Sequence, residues 1–344
     1  KKTIQDMPMK KVVILAAENC VLSTIAAPMD MFLQAGVLWN MTMGQQPRPE
    51  FEVKIVTADG QPITALNNIP VIPACGMHDI SEVDLIVIPS QGFFFDVESE
   101  VHKQRADWLT SWYDKGADLA AICAGAFTLA ATGLLDGRQA TTHWGLANQF
   151  KKLFPLVDLR TDLMVTDEGR LFCGGGITAD LNLSLYLIEK YCGREAALQG
   201  SRCMLVDMDR TSQAPFAVFV PNKSHEDSEI LLSQDWLEKH YSHSIVMENV
   251  AQKVGMSIRQ FNRRFKAATG ETALKYLQHT RVEAAKMLLI TTRETFDEIS
   301  PKVGYENVSF LRRVFKGTTG ITPVEFRRKF GVREGGKTKR SQRL

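Results

Sequence analysis

Long apolar runs are missing from this 344-residue chain. None reaches the roughly 18 residues of a membrane-spanning helix, which excludes a helical membrane protein. The apolar stretch Val12–Ala17 near the start is shorter than the roughly 7–15 residues of a signal-peptide core and reads as a first β-strand. The chain opens on Lys1 rather than Met, which reads as a processed or recombinant start. Paired cysteines are missing too. Cys20, Cys75, Cys123, Cys173, Cys192 and Cys203 form no CxxC, so neither a zinc site nor a dithiol motif is indicated, and no metal or cofactor is expected. Scattered free thiols suit a reducing cytoplasm, where the protein is expected to reside.

An excess of one charge sign is absent from the whole and present in its parts. The net charge is +2. Residues 1–221 nevertheless carry 18 Lys+Arg against 25 Asp+Glu, a net of −7, while residues 222–344 carry 23 against 14, a net of +9. A basic final third points to a nucleic-acid partner at that end.

The first 200 residues alternate strand-like and helix-like segments. KVVILA (11–16), FEVKIVTA (51–58), DLIVIPS (84–90) and ADLAAIC (117–123) read as strands. APMDMFLQAGVLW (27–39), VHKQRADWLTSWYDKG (101–116) and ADLNLSLYLIEKYCG (179–193) have helical spacing, the last two with a terminal glycine. Such alternation implies a mostly parallel sheet covered on both faces, a flavodoxin-like sandwich with its working site beyond the carboxyl ends of the strands. The pattern dissolves at 206–228, a polar stretch with two prolines that reads as a linker. From residue 229 onward the spacing is helical throughout.

That helical part repeats itself. FKAATGET (265–272) returns fifty residues later as FKGTTGIT (315–322), and VAQKVGMS (250–257) parallels ISPKVGYEN (299–307) with one extra residue in the turn. Each copy reads as helix, glycine-containing turn, helix and glycine stop, so a helix-turn-helix is present twice. Ser257 is a natural N-cap for the first second-position helix. There Phe261 and Phe265 share the core face, leaving Arg259, Asn262 and Arg263 outward for base edges and Arg264 and Lys266 for phosphate. In the second copy Leu311 and Phe315 form the core pair and Ser309, Arg312 and Arg313 face outward. Pro301 removes a helical hydrogen bond, so its helix is expected to be kinked or weak.

These features, with the connecting ALKYLQHTRVEAAKMLL (273–289) and the closing GITPVEFRRKF (320–330), resemble the AraC/XylS family of transcriptional regulators over about residues 229–330. The resemblance implies two helix-turn-helix units reading successive major grooves of promoter DNA, base contacts from Arg259, Asn262, Arg263, Ser309, Arg312 and Arg313, and activation of transcription with RNA polymerase in response to a small molecule.

The sharpest feature of the first part is AAICAGAFTLA (120–130), where an apolar run ends at Cys123, small residues come next and a helix begins. A strand-turn-helix of this kind displays a nucleophile in many enzymes. Its placement at a helix start favours thiolate, and a nearby imidazole would accept the proton. With ATTHW (140–144) and CGGGITADLNLSL (173–185), segment 11–205 resembles the PfpI-like branch of the class I glutamine amidotransferase fold, in which Cys123 and His143 match a catalytic pair. The acidic residue that assists the cysteine in many relatives is replaced by Thr24, the residue after it is Ala124 where His is common, and Ala121 stands for the first elbow glycine.

On the residues alone, Cys123 stands as an inert buried thiol, an effector-pocket residue or a nucleophile. The reading adopted is an α/β sensing and dimerising domain (1–205), a linker (206–228), an all-α DNA-binding domain (229–332) and a basic tail (333–344) expected to be disordered. The effector is expected to contact Cys123, Ala124, His143, Trp144, Gln91 and Gly92, with PSQGFFF (89–95) at the rim. Relatives with this pairing of domains make it a small nitrogenous metabolite, an amino acid or amine, bound without catalysis by a homodimer. The rival is an amidase, hydrolase or glyoxalase-like enzyme using Cys123 and His143. CGGGIT is read as a close turn past the elbow, and the methionines at 29–43 as core or dimer packing.

Overall fold

A computed structural model describes residues 8–92 and 99–332. The tail 333–344 and Phe93–Phe95 of the expected rim lie outside the described residues. The chain divides into two compact units, with the break between Gln213 and Ala214. Among the described residues no helix is long and apolar enough to cross a membrane.

The first unit is a seven-stranded sheet: β1 (Lys10–Leu15), β2 (Phe51–Thr57), β3 (Cys75–Gly76), β4 (Leu85–Ile88), β5 (Asp118–Ile122), β6 (Val165–Asp167) and β7 (Leu171–Gly174), in the spatial order β6-β7-β5-β4-β1-β2-β3. All pairs are parallel except β6 with β7. The central strands β4 and β5 are buried at every residue, as two-sided coverage by helices requires. The chain runs outward from β1 through β2 to β3 and then returns to β4 on the other side of β1. The switch point of this open sheet therefore lies between β1 and β4, and the crevice beyond their carboxyl ends is where such folds bind ligands.

Helix α1 (Ser23–Gln34) starts four residues earlier than the apolar spacing indicated and runs through Pro28, whose missing N–H would have met the carbonyl of Thr24. Helices α2 (Glu100–Asp114) and α3 (Gly125–Ala130) pack together. After α4 (Ala147–Leu153), α5 (Ala179–Cys192) packs against both α1 and α6 (Arg194–Met204). The spacing had not marked α6. Of the methionines at 29–43, Met31 is buried while Met41 and Met43 are exposed.

The second unit consists of α7 (Ser228–His240), a first helix-turn-helix of α8 (Met247–Lys253) and α9 (Ile258–Thr269), the connecting α10 (Ala273–Thr291), a second helix-turn-helix of α11 (Phe296–Lys302) and α12 (Val308–Thr319), and α13 (Pro323–Phe330). Each half has its own apolar cluster. Phe261 and Phe265 are fully buried in one and Leu311 and Phe315 in the other, while α10 contributes Tyr276 and Leu277 to the first and Val282, Ala285 and Leu289 to the second. Truncating one of these phenylalanines to Ala costs about 3–5 kcal/mol. Both second helices end on a left-handed glycine, Gly270 (φ +85°) and Gly320 (φ +74°), which explains why the repeat keeps glycine there. Helix α11 contains Pro301 and still spans seven residues, as α8 does, so the weakening expected from the proline does not shorten it. Its start carries a reciprocal cap between Thr295 and Glu298 that offsets the lost bond.

The stretch read as a linker, 206–228, is packed rather than loose. Gln213 is buried in the first unit. In the second, Phe219 meets Tyr276 edge-on at 5.2 Å, Lys286 Nζ donates to the Ala217 carbonyl at 2.6 Å, and Asn222 Nδ2 donates to Ala268 O at 3.2 Å. The second unit thus begins at Ala214, ahead of the expected residue 229.

Candidate effector crevice and nucleic-acid interface

Cys123 follows the carboxyl end of the central strand β5 with φ at +54°, a left-handed conformation that costs a non-glycine residue on the order of 1 kcal/mol or more. This is a nucleophile elbow in backbone shape. The close approach of α3 makes Gly125 obligatory, since a Cβ there would lie 2.3 Å from Ile88 O and 2.8 Å from Pro89 O. The Cys123 N–H donates to Gly174 O at 2.8 Å, so the glycine-rich CGGGIT does pass directly beside the elbow. Thr142 Oγ1 donates to Cys123 O at 2.7 Å.

The thiol is not activated. Burial pushes the Cys123 pKa above the ordinary thiol value; the Ser90 hydroxyl and the backbone N–H groups of Ala124 and His143 pull the other way without prevailing, and the Asp180 carboxylate adds to the rise. The start of the six-residue α3 thus does not lower the thiol pKa as the sequence suggested, because burial outweighs it. The group of His143 that faces the sulfur is its backbone N–H. Its ring caps the short turn Trp144–Leu146, with Nδ1 accepting from Gly145 N at 3.1 Å, and lies over the Trp144 ring at 5.1 Å. That places the proton of the neutral imidazole on Nε2, which leaves no lone pair for a thiol proton. Burial lowers the imidazole pKa and so keeps it neutral. Among the described residues no hydrogen bond joins the Cys123 and His143 side chains. Thr24 does stand at the elbow, but its hydroxyl serves the backbone: it donates to Val21 O at 2.7 Å and accepts from Ser90 N at 3.1 Å.

The other expected effector contacts surround this point. Ala124 is buried, and His143 and Trp144 are half-buried. Gln91 pairs in an isolated bridge with Cys20, and its Oε1 lies 3.3 Å from His102 Nε2. Gly92 N donates to Asn19 O at 3.0 Å. Gln91 and Gly92 thus line the β1/β4 switch point, with Cys123 at the neighbouring strand end.

Three residues here escaped the sequence reading. Gln213 holds the His143 loop: its Nε2 donates to Thr142 O at 2.8 Å and Thr141 Oγ1 at 3.1 Å, and its Oε1 accepts from Trp144 N at 3.2 Å. Asp180, in the first turn of α5, is buried, accepts from Leu181 N at 2.6 Å, and has its pKa pushed up to about 7 by burial. Arg105, on the inner face of α2, is the third.

In the second unit the cap of α9 is as the sequence indicates, with Ser257 Oγ accepting from Gln260 N at 3.3 Å. Arg259, Asn262 and Arg263 are exposed on α9, and none makes a side-chain hydrogen bond or ion pair among the described residues. Arg264 differs from its expected phosphate role. It is clamped by Asp227 at 2.6 Å and Glu229 at 2.7 Å, which ties α9 to the start of α7. On α12, Ser309, Arg312 and Arg313 are exposed. Arg312 pairs with Asp297, and the Arg313 guanidinium lies 5.6 Å from the Phe310 ring. An exposed pair of this kind contributes at most about 1 kcal/mol, so a phosphate or base can replace the partner.

Both units have counterparts among known proteins. A model described as the DJ-1/PfpI family matches residues 10–190, and one described as a helix-turn-helix domain matches residues 250–329. The chain is 26% identical over 274 residues to the HTH-type transcriptional regulator CdhR of Pseudomonas aeruginosa, covering 79% of this chain and 80% of CdhR. It is 29% identical over 151 residues to the isonitrile hydratase of Pseudomonas putida, covering 43% of this chain and 63% of that enzyme. The crystal structure of Drosophila melanogaster DJ-1beta aligns with 58% of this chain and 100% of its own at 19% identity and a TM-score of 0.49. A DJ-1/PfpI domain followed by an AraC-type helix-turn-helix domain is the make-up of a transcription regulator. The chain belongs to the DJ-1/PfpI family.

Proposed function

We propose that this chain is a cytoplasmic, sequence-specific DNA-binding activator of transcription whose DJ-1/PfpI domain senses a small nitrogenous metabolite, an amino acid or amine, without transforming it. The observation that carries the reading is the duplicated helix-turn-helix with Arg259, Asn262 and Arg263 exposed and, among the described residues, unpaired on α9. Arginine grips guanine and asparagine grips adenine in the major groove. Arg312, Arg313 and Ser309 on α12 supply the second set of contacts. The effector lies in the crevice beyond β1, β4 and β5, against Cys123, Ala124, His143, Trp144, Gln91 and Gly92. The active form is a homodimer that engages RNA polymerase at the promoter.

The unactivated thiol supports sensing over chemistry, since a nucleophile needs a base or a depressed pKa and Cys123 has neither. The test is promoter binding by the whole chain, monitored by fluorescence anisotropy across a panel of amino acids, polyamines and betaines. A compound that changes DNA affinity in both the native chain and Cys123→Ala supports the reading. The likeness to isonitrile hydratase favours one alternative, a cysteine-dependent hydrolase or amidase using Cys123 and His143. Consumption of a panel compound that stops in Cys123→Ala would establish it and remove the sensing role.

A further inference from the structure

Arg105 lies on the inner face of α2 together with Trp108, Leu109 and Trp112, the i, i+3, i+4, i+7 positions that bury an amphipathic helix. It is 7% exposed. Its Nε is fully buried without a hydrogen-bond partner, and among the described residues its guanidinium makes no side-chain hydrogen bond or ion pair. A buried charge in that state costs several kcal/mol unless something neutralises it, and proteins rarely retain one without a purpose.

Its position supplies the purpose. One turn earlier on the same helix face, His102 Nε2 meets Gln91 Oε1 at 3.3 Å, and Gln91 pairs with Cys20 in the isolated bridge across the switch point. The Glu18 carboxylate, on the loop after β1, is the acidic group whose charge acts on the guanidinium. Glu18 is exposed and accepts from Thr64 N at 3.0 Å, so it is engaged with the short strand Ile63–Thr64 rather than with the arginine. Arg105 therefore lies one turn along α2 from the contact with Gln91 at the β1/β4 switch point, with no hydrogen bond or ion pair of its guanidinium among the described residues.

We infer that Arg105 is the anchor for a carboxylate group of the effector, which makes the ligand class a small carboxylate-bearing metabolite rather than a simple amine. The inference rests on the sensing role proposed above and narrows it. A planar carboxylate matches the guanidinium fork with two parallel N–H···O bonds, and a site that excludes water strengthens both. The acceptor then satisfies the group that is unsatisfied in the ligand-free chain. The exposed Glu18 at the same mouth provides the opposite charge for an amino or ammonium group of the same molecule.

The test uses the full chain and matched probes: sodium acetate against sodium chloride at equal ionic strength, alanine against alaninamide, and glycine betaine against choline, each read by melting temperature and by affinity for promoter DNA. The expected result is that a carboxylate member of a pair stabilises the protein and its uncharged or decarboxylated counterpart does not. Arg105→Met weakens that response on the order of 10- to 100-fold, the worth of a charge-assisted hydrogen-bonded pair. The ligand-free melting temperature of Arg105→Met is expected to equal or exceed that of the native chain, because an unpaired buried charge is gone. A purely structural arginine gives the reverse, a lower ligand-free melting temperature, and overturns the inference. So does an amine that acts equally well without its carboxylate, while leaving the sensing role intact. If no compound of any class changes DNA affinity, the sensing role fails together with the inference.

Discussion

Alkylation of Cys123 across pH tests the reading of the elbow most sharply. An ordinary thiol with a pKa of about 8.5 is roughly 3% ionised at pH 7. Burial holds Cys123 above that value, so its reactive fraction at pH 7 is smaller still. An elbow thiol activated to a pKa of about 5.5 would be about 97% ionised at the same pH, a difference of about thirtyfold or more in reactive species. The assay is timed labelling of the folded chain with iodoacetamide at a series of pH values, with peptide mass spectrometry separating Cys123 from the five other cysteines. The rate at Cys123 is expected to climb monotonically to at least about pH 9, near and beyond the ordinary thiol range, and to stay below the rate of the same peptide in the denatured chain. His143→Ala is expected to leave the profile unchanged, because the imidazole Nδ1 serves Gly145 and not the thiol. An inflection below pH 7 at Cys123, or its loss in His143→Ala, would refute the argument.

Other consequences are equally direct. Gly125→Ala places a Cβ 2.3 Å from the Ile88 carbonyl oxygen and is expected to destabilise the first unit by about 1–3 kcal/mol, read from chemical denaturation; an unchanged midpoint would contradict the packing. Asp180 holds its proton up to about pH 7, so its contribution to stability is fully present below about pH 4, where the unfolded carboxyl is also protonated, and is lost as pH rises through about 7. Asp180→Asn should flatten that decline in a melting-temperature series, and an unaltered slope would assign it elsewhere. Arg263→Ala is expected to weaken specific DNA binding by about 1–3 kcal/mol with little effect on non-specific binding, whereas Lys266→Ala should lower both and reduce the salt dependence. Arg264→Ala should lower the stability of the second unit through the loss of Asp227 and Glu229, with DNA specificity retained.

How much of this was legible in the sequence depended on the range of the interaction. The fifty-residue repeat exposed the two helix-turn-helix units because each is a local pattern of caps, apolar spacing and stop glycines, and the pairs Phe261/Phe265 and Leu311/Phe315 are buried as their spacing implied. The elbow was equally local, an apolar strand cut short by small residues. Arg264 was misplaced because its partners lie 35 and 37 residues away, and nothing in α9 itself announces them. Gln213 sits in a polar run that looks like connector, yet its side chain closes hydrogen bonds to a loop some 70 residues earlier. The spacing of α2 does put Arg105 on the buried face, but periodicity does not reveal whether a buried guanidinium has a partner. The orientation of the His143 ring is set by one bond to Gly145, a detail that no motif encodes.

In the proposed function, two helix-turn-helix units read DNA on behalf of a sensing domain. Selection of bound sequences from a random duplex pool by the full chain, with and without the effector panel, tests it most directly. The expected result is an enriched site with two motifs about one helical turn, roughly 10–10.5 base pairs, apart. The first motif would be lost in Arg263→Ala and the second in Arg313→Ala, and enrichment would depend on a panel compound. A pool that stays random, or binding that ignores every compound while Cys123 turns one over, would contradict it.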